Sequence, residues 1–210
     1  MPSSEPGTVV RPVDVERWLD ELGLSPQARA DRDGVTSWDL RLDGRRRFDL
    51  PVTIILEPAT ALTCWIHFAP PIGDAFRKSY RKLLRWNDEF PFAKFSLAED
   101  DRPVLASELA LHTADRDELG VALARSLLIA DQLLEESAGW LWIGGRIPDQ
   151  TGRASRGAAL IERFADRLAE LAGDPAASPA APGPAAPGPA APGPAAPPTP
   201  VAPATPARGS

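Results

Sequence analysis

Few residues of this sequence have side chains suited to catalysis or metal binding. Its 210 residues include two histidines, His67 and His112, and one cysteine, Cys64. Two histidines do not supply the usual zinc ligands without carboxylates at i+4 spacing, and no His-Glu-x-x-His run occurs. A single cysteine excludes an intrachain disulfide and a cysteine-based metal site. We therefore expect a half-buried strand residue at His67, a surface loop residue at His112 and an inert core residue at Cys64.

Other chemical motifs are missing as well. There is no Gly-x-x-x-x-Gly-Lys phosphate loop, and Gly144-Gly145 lacks the third glycine and the preceding βα unit of a dinucleotide site. The acidic runs at 99–101 and 135–136 are typical of solvated surface. The sequence therefore predicts a protein that is not an enzyme, with no catalytic residue, no cofactor and no metal site.

One predicted helix carries a concentrated positive charge. At 100° per residue its cations fall within one arc of about 140°. These cations are Arg77, Lys78, Arg81, Lys82 and Arg85. They form a solvated face, or they contact an acidic partner, nucleic acid or an anionic membrane. The net charge of −6 disfavours nucleic acid and acidic membranes, and the solvated face is the favoured alternative.

Two apolar residues of the longest predicted helix lie away from its core stripe. Val121 and Leu128 are seven residues apart and roughly opposite Leu119, Leu123 and Leu127. A helix with one buried face does not need them, so we expect a second packing layer. Either the C-terminal helix or a partner subunit, and hence a homodimer interface, provides that layer.

Aromatic residues offer candidates for peptide binding. Six tryptophans exceed what one small core commonly needs, and exposed aromatic side chains form binding platforms. The candidates are Trp18 and Leu22 of the first helix, with Trp38 and Trp65 on the exposed face of a predicted meander. The alternative is ordinary core packing, because the sequence does not fix the register of the strands.

Hydrophobic periodicity predicts an α+β fold with a mostly antiparallel sheet. The order is a helix, a three-stranded antiparallel meander, a helix, a two-stranded hairpin, a long helix and an added C-terminal helix. Pro51 predicts an edge position or a bulge for the second strand of the meander, and residues 24–34 are expected to form a polar loop. The predicted elements span residues 15–22, 35–42, 45–57, 62–69, 74–88, 92–97, 103–111, 115–139 and 156–171.

Composition divides the chain into four segments. We expect a disordered N-terminus over 1–11, a folded domain over 12–139, a helical extension over 140–173 and a disordered tail over 174–210. The tail contains 13 prolines, includes three Ala-Ala-Pro-Gly-Pro repeats and has too little apolar surface to form a core. The apolar stretches are much shorter than the roughly 20 residues that span a bilayer, so we expect a cytoplasmic protein without a membrane partner.

The order of elements resembles the type III secretion chaperone-like fold, and specifically its YbjN-like branch, over about residues 12–139. Local sequence also carries the resemblance: Trp18-Leu19, Leu83-Leu84-Arg85-Trp86-Asn87 leading into Phe92-Ala93-Lys94-Phe95, and Pro103-Val104-Leu105-Ala106-Ser107-Glu108-Leu109. Secretion chaperones of this fold are usually dimers that hold extended segments of client proteins, and some YbjN-like members are labelled sensory regulators. The resemblance implies no catalytic residue.

Together these observations predict a non-enzymatic module, chaperone-like or regulatory, that binds a protein or peptide client. The client segment is expected to add to a sheet edge or to lie in an apolar groove. The alternative is a regulator that uses the basic helix, residues 77–85, to contact nucleic acid or an acidic partner.

Overall fold

A computed structural model describes residues 10–72 and 77–172 of the chain. Within these ranges there are six α-helices and six β-strands. In chain order they are α1 (Pro12–Glu21), β1 (Ala28–Arg32), β2 (Val35–Leu42), β3 (Leu50–Glu57), β4 (Ala61–His67), α2 (Arg77–Glu89), β5 (Lys94–Leu97), β6 (Pro103–Ala110), α3 (Arg116–Gln132), α4 (Leu134–Leu141), α5 (Ala158–Arg163) and α6 (Ala169–Ala172). The predicted α+β class is confirmed. Apart from residues 10 and 11, both segments predicted to be disordered lie outside the described residues.

The six strands form one antiparallel sheet in the order β1-β2-β3-β4-β6-β5. Along β3 and β4, buried residues alternate with half-buried ones because successive side chains point to opposite faces of a sheet. The buried side, called here the inner face, carries residues such as Ile54 and Cys64. The opposite side, called the outer face, carries Thr53, Trp65 and His67, which are half-buried.

Pro51 lies within the sheet, so its predicted edge position is wrong. β3 is flanked by β2 and β4. Pro51 pairs with Arg41 of β2, whereas the pairing of β3 with β4 begins one residue later, at Val52. The missing N–H of the proline therefore falls where β3 has only one neighbour, which is where a strand tolerates proline.

Helices cover the inner face of the sheet. α3 contacts β4 and β6, and on its other sides it contacts α1, α5 and α6. All of its residues from Leu119 to Asp131 are buried. A helix surrounded in this way needs apolar side chains around its whole circumference rather than on one stripe.

Several local predictions are corrected by the structure. The expected polar loop contains β1, whose side chains are all exposed, so that only its backbone pairing with β2 defines it. The predicted long helix is interrupted at Leu133, where ψ is 4°, and continues as α4. The predicted last helix is divided into α5, a 3-10 turn and α6. The start predicted for α2 at Asp74 lies outside the described residues.

The loop between β2 and β3 is held from two directions. The carboxylate of Asp131 in α3 accepts the backbone N–H groups of residues 45–47 at 2.6 to 2.8 Å. The carboxylate of Asp43 accepts hydrogen bonds from Nε and Nη2 of Arg156, both at 2.7 Å. Arg156 lies in the segment that precedes α5. These hydrogen bonds fix the position of Arg47 at one end of the sheet.

Candidate functional site

The register of the sheet separates the two tryptophans of the predicted meander. Trp38 lies opposite Ile54, which in turn lies opposite Cys64, so Trp38 belongs to the inner face. Its side chain is only 1% exposed. The prediction that Trp38 lies on the exposed face is therefore wrong. Trp65 lies opposite Thr53 on the outer face, half-buried, and its role in peptide binding stays a prediction.

The two candidates of α1 pack mainly into the protein. Trp18 is 9% exposed and, together with His112, lines a cavity of about 550 Å³. Leu22 is half-buried and packs against the core near Gly120. Most of their surface contributes to folding, and any contact with a peptide stays a prediction.

The basic face of α2 is partly engaged within the chain. Nζ of Lys82 donates to the backbone carbonyl of Glu136 at 3.3 Å and lies 3.6 Å from its carboxylate. Arg81 and Arg85 are exposed, which agrees with the solvated-face alternative. The side chains of Arg77 and Lys78 lie outside the described residues.

Val121 and Leu128 are both buried within the single chain. Both belong to the core cluster that also contains Phe164, Leu168 and Leu171 of the C-terminal region. Since α5 and α6 contact α3, the C-terminal segment provides a second packing layer for this helix, while homodimer formation stays a prediction.

The cysteine and the two histidines lie where the sequence predicted them. Cys64 is fully buried, and burial raises the pKa of its thiol to about 12, as expected for an inert core residue. His67 is half-buried on β4, and His112 is exposed after β6, as predicted. Across residues 10–72 and 77–172, no three His, Cys, Asp or Glu side chains are grouped closely enough to hold a metal ion.

A feature that the sequence analysis missed is the unequal length of β5 and β6. The four residues of β5 pair with residues 103–106 of β6, whereas β4 pairs with β6 as far as Ala110. Within the described part of the chain, residues 107–110 are therefore paired on one side only. This segment is called here the free edge, because a further strand can add to its unpaired side. At its end, the carbonyl of Ala110 already accepts the backbone N–H groups of Thr113 and Ala114.

A cavity of about 230 Å³ lies beside the free edge. Ser107 and Leu109 of β6 line it together with Val121 and Ala122 of α3 and with Phe92, which precedes β5. The hydroxyl oxygen of Ser107 is buried and has no hydrogen-bond partner among the described residues. The lining also includes the charged residues Glu108, Glu118, Arg125 and Arg167, so the cavity combines an apolar part with charged residues and an unsatisfied polar group at the strand edge.

Phe92 has an unusual conformation at this position. Its φ is 62°, in the left-handed region, and its side chain is 79% exposed. Holding a bulky residue there costs on the order of 1–3 kcal/mol, and such conformations cluster at ligand-binding positions. The guanidinium of Arg125 lies 5.0 Å from the centroid of the Phe92 ring.

The positive charges at the cavity are compensated by carboxylates. Nη1 of Arg125 lies 3.5 Å from the carboxylate of Glu170, and Nη2 of Arg167 lies 2.7 Å from that of Glu118. The cavity therefore favours an apolar side chain over an anionic one. The sequence contains a signal for this site, because the hairpin strands predicted over 92–97 and 103–111 already differ in length.

These features define an α+β domain built on a single antiparallel sheet, with a free strand edge beside an apolar cavity. A family model described as "Putative bacterial sensory transduction regulator" matches residues 11–138, more than half of the chain. The chain belongs to this family, YbjN, so the predicted resemblance is confirmed at the level of the family. The description names a regulator rather than an enzyme. No curated protein matches the sequence.

A family of regulators suggests a protein partner. Among residues 10–72 and 77–172, none of the helices has the length and apolar character needed to cross a membrane.

Proposed function

We propose that this protein is a non-enzymatic regulatory module that binds an extended segment of a partner protein along the free edge of β6. The observation that carries the proposal is the register of the sheet. β5 begins at Lys94, which pairs with Ala106, so β6 extends beyond it as far as Ala110. The family description and the apolar cavity beside the edge support it.

Binding would proceed by addition of a strand. A partner segment placed in line with β5 would exchange backbone hydrogen bonds with those groups of residues 107–110 that point away from β4 and are not already bonded, which supplies affinity without reading sequence. Since side chains alternate along a strand, every second one would point toward the cavity side. The walls formed by Val121 and Ala122 favour an apolar side chain there, which supplies specificity.

Phe92 would cover a side chain bound in this cavity. Its exposed ring borders the cavity, so a bound side chain would bury apolar surface against it, at about 25 cal/mol per Å². This gain would add to the contact with the Arg125 guanidinium in offsetting the cost of the left-handed backbone.

The proposal can be tested by placing a photo-crosslinking amino acid, p-benzoylphenylalanine, at position 108 of the free edge. Glu108 is exposed, so the substitution leaves the core intact. Exposed Glu57, at the end of β3, provides the control position. We expect a partner protein to be crosslinked from position 108 in cells and not from position 57. Equal crosslinking from both positions, or none from 108, would refute the proposal.

A pair of substitutions separates binding from folding. Phe92→Gly removes the ring and relieves the positive φ, so it should weaken crosslinking from position 108 while leaving thermal stability equal or higher. Leu84→Ser removes another exposed apolar side chain, one that does not line the cavity, and should leave crosslinking unchanged.

A further inference from the structure

A second cavity, of about 260 Å³, lies at the opposite end of β6 from the free edge. Arg47, His67 and Arg102 line it, with apolar walls that include Phe48 and Trp142. None of its lining residues is acidic. A cavity with two arginines, one histidine and no carboxylate attracts anions.

Arg47 is a buried cation whose guanidinium has no ion pair within the described part of the chain. Its residue is 7% exposed, and Asp131 acts on its charge without a hydrogen bond to it. Nη2 donates to the backbone carbonyl of Phe68 at 2.6 Å, while Nη1 is buried and has no hydrogen-bond partner there. A buried, unpaired charge is costly, and an anion in the cavity would compensate it.

The described residues compensate the charge of Arg47 only in part. The carboxylate of Asp131 stabilises its charge from a distance but is itself engaged by three backbone N–H groups. Burial, partly offset by Asp131, lowers the pKa of Arg47 to about 10. The side chain therefore remains a cation at neutral pH. Its guanidinium also lies over the ring of Trp142, 5.9 Å from the centroid.

Arg102 and His67 contribute two more unsatisfied atoms. Nε of Arg102 and Nδ1 of His67 are buried without a hydrogen-bond partner in the described part of the chain. Nη2 of Arg102 pairs with Asp100 at 3.1 Å on the surface, which leaves Nε available as a donor. Arg47, His67 and Arg102, which line one cavity, thus each have a buried polar atom without a hydrogen-bond partner, whereas such atoms are normally rare in a folded domain.

The hydrogen bonds of His67 determine which kind of anion fits. Thr53 donates its hydroxyl proton to the carboxylate of Asp39 at 2.7 Å, so its oxygen has only lone pairs left for Nε2 of His67, 3.3 Å away. Burial and the charge of Arg102 lower the pKa of His67, which keeps the ring neutral, although Asp39 and Asp100 act in the opposite direction. Nε2 is then the protonated nitrogen, and Nδ1 is an acceptor.

We propose that this cavity binds a hydrogen phosphate group, either as inorganic phosphate or as a small phosphate monoester in its singly protonated form. The ionised oxygens accept from Nη1 of Arg47 and Nε of Arg102, and the P–OH group donates to Nδ1 of His67. A carboxylate or a sulfate satisfies the two arginines but has no proton for Nδ1. The volume lies slightly below the range of about 300–1,000 Å³ of drug-sized ligand sites, so the ligand is small.

The test is isothermal titration calorimetry on the full-length protein at pH 7 and constant ionic strength. The ligands are inorganic phosphate, phenyl phosphate, sulfate and benzoate. Constant ionic strength separates site binding from general screening. We expect saturable 1:1 binding of at least one phosphate ligand, about tenfold or more tighter than sulfate or benzoate. Tighter binding of phenyl phosphate would identify a monoester site, and tighter binding of inorganic phosphate a site for the free ion.

Substitutions assign the binding to the cavity. Arg102→Gln affects a half-exposed side chain, so it should raise the Kd for phosphate about tenfold, or about 1.4 kcal/mol, without unfolding the protein. Arg85→Gln removes the same charge from an exposed position that does not line the cavity, and should change the Kd less than twofold. Arg47→Met should abolish binding if it folds.

Three results would overturn the proposal. These are the absence of saturable phosphate binding by the wild-type protein, an equal Kd in wild type and Arg102→Gln, or sulfate binding as tight as phosphate. The last result would show that Nδ1 of His67 is not an acceptor for the ligand.

Discussion

Asp43 is the residue at which the structure makes the sharpest energetic prediction. Its side chain is 1% exposed. The carboxylate accepts two hydrogen bonds of 2.7 Å from the side chain of Arg156 and one of 2.7 Å from the backbone N–H of Asp49. Burial alone would raise the pKa of this carboxyl. The hydrogen bonds from Arg156 and Asp49, together with the charge of Arg156, outweigh burial and lower the pKa to about 2.

The difference from the ordinary value of 3.8 corresponds to about 2 kcal/mol of folding free energy at neutral pH. Because the pKa is lower in the folded state, this stability is fully present above pH 4 and is lost as pH falls toward 2. At pH 3 about 1 kcal/mol remains. Asp43→Asn removes the charged acceptor, and we expect it to destabilise the protein by about 2–3 kcal/mol at pH 7.

The assay is equilibrium urea unfolding of wild type and Asp43→Asn at pH 7 and pH 3. The difference in unfolding free energy between the two proteins should fall by about half at pH 3. Asp49→Asn is the matched control: Asp49 contacts the same Arg156 but is exposed, so its loss should cost less than about 1 kcal/mol. A cost below about 0.5 kcal/mol for Asp43→Asn at pH 7, or a difference that does not shrink at pH 3, would refute the reasoning.

Three further predictions concern packing and burial. A Cβ at Gly120 would lie 2.2 Å from the ring of Phe164, so Gly120→Ala should destabilise the protein by about 1–3 kcal/mol despite the better helix propensity of alanine. Gly139→Ala meets nothing within 4 Å and should stabilise it by about 0.5–1 kcal/mol, as chemical unfolding will show. The thiol of Cys64, with its pKa of about 12, should form about a thousandfold less thiolate at pH 8 than an ordinary thiol. A disulfide reagent should therefore modify it only on unfolding, and rapid native labelling would contradict this.

Much of the fold could be predicted because core residues occupy every second position along the central strands. Ile54 and Cys64 recur on the inner face of a sheet that helices cover, so their spacing reports burial directly. β1 could not be predicted in this way. All five of its side chains are exposed, and no apolar pattern distinguishes a strand of this kind from a loop.

The candidate site was harder to predict because it depends on pairing. Trp38 looks equally suited to either face, and only its register opposite Ile54 places it in the core. The free edge of β6 could be recognised only once the first residue of β5, Lys94, was known to pair with Ala106. The cavity at Arg47 could be recognised only from contacts between residues far apart in the chain. For Val121, the sequence spacing predicted a second packing layer, whereas only the structure showed that this residue lies beside the free edge.

The most direct test of the proposed function is backbone hydrogen exchange of the amides in residues 107–110, with and without the partner crosslinked from position 108. Unpaired strand amides exchange quickly, whereas an added strand protects those that it engages. We predict slower exchange at the free edge in the complex, with little change in β3. Unchanged exchange at residues 107–110, together with new protection elsewhere on the sheet or on α2, would contradict binding at the free edge.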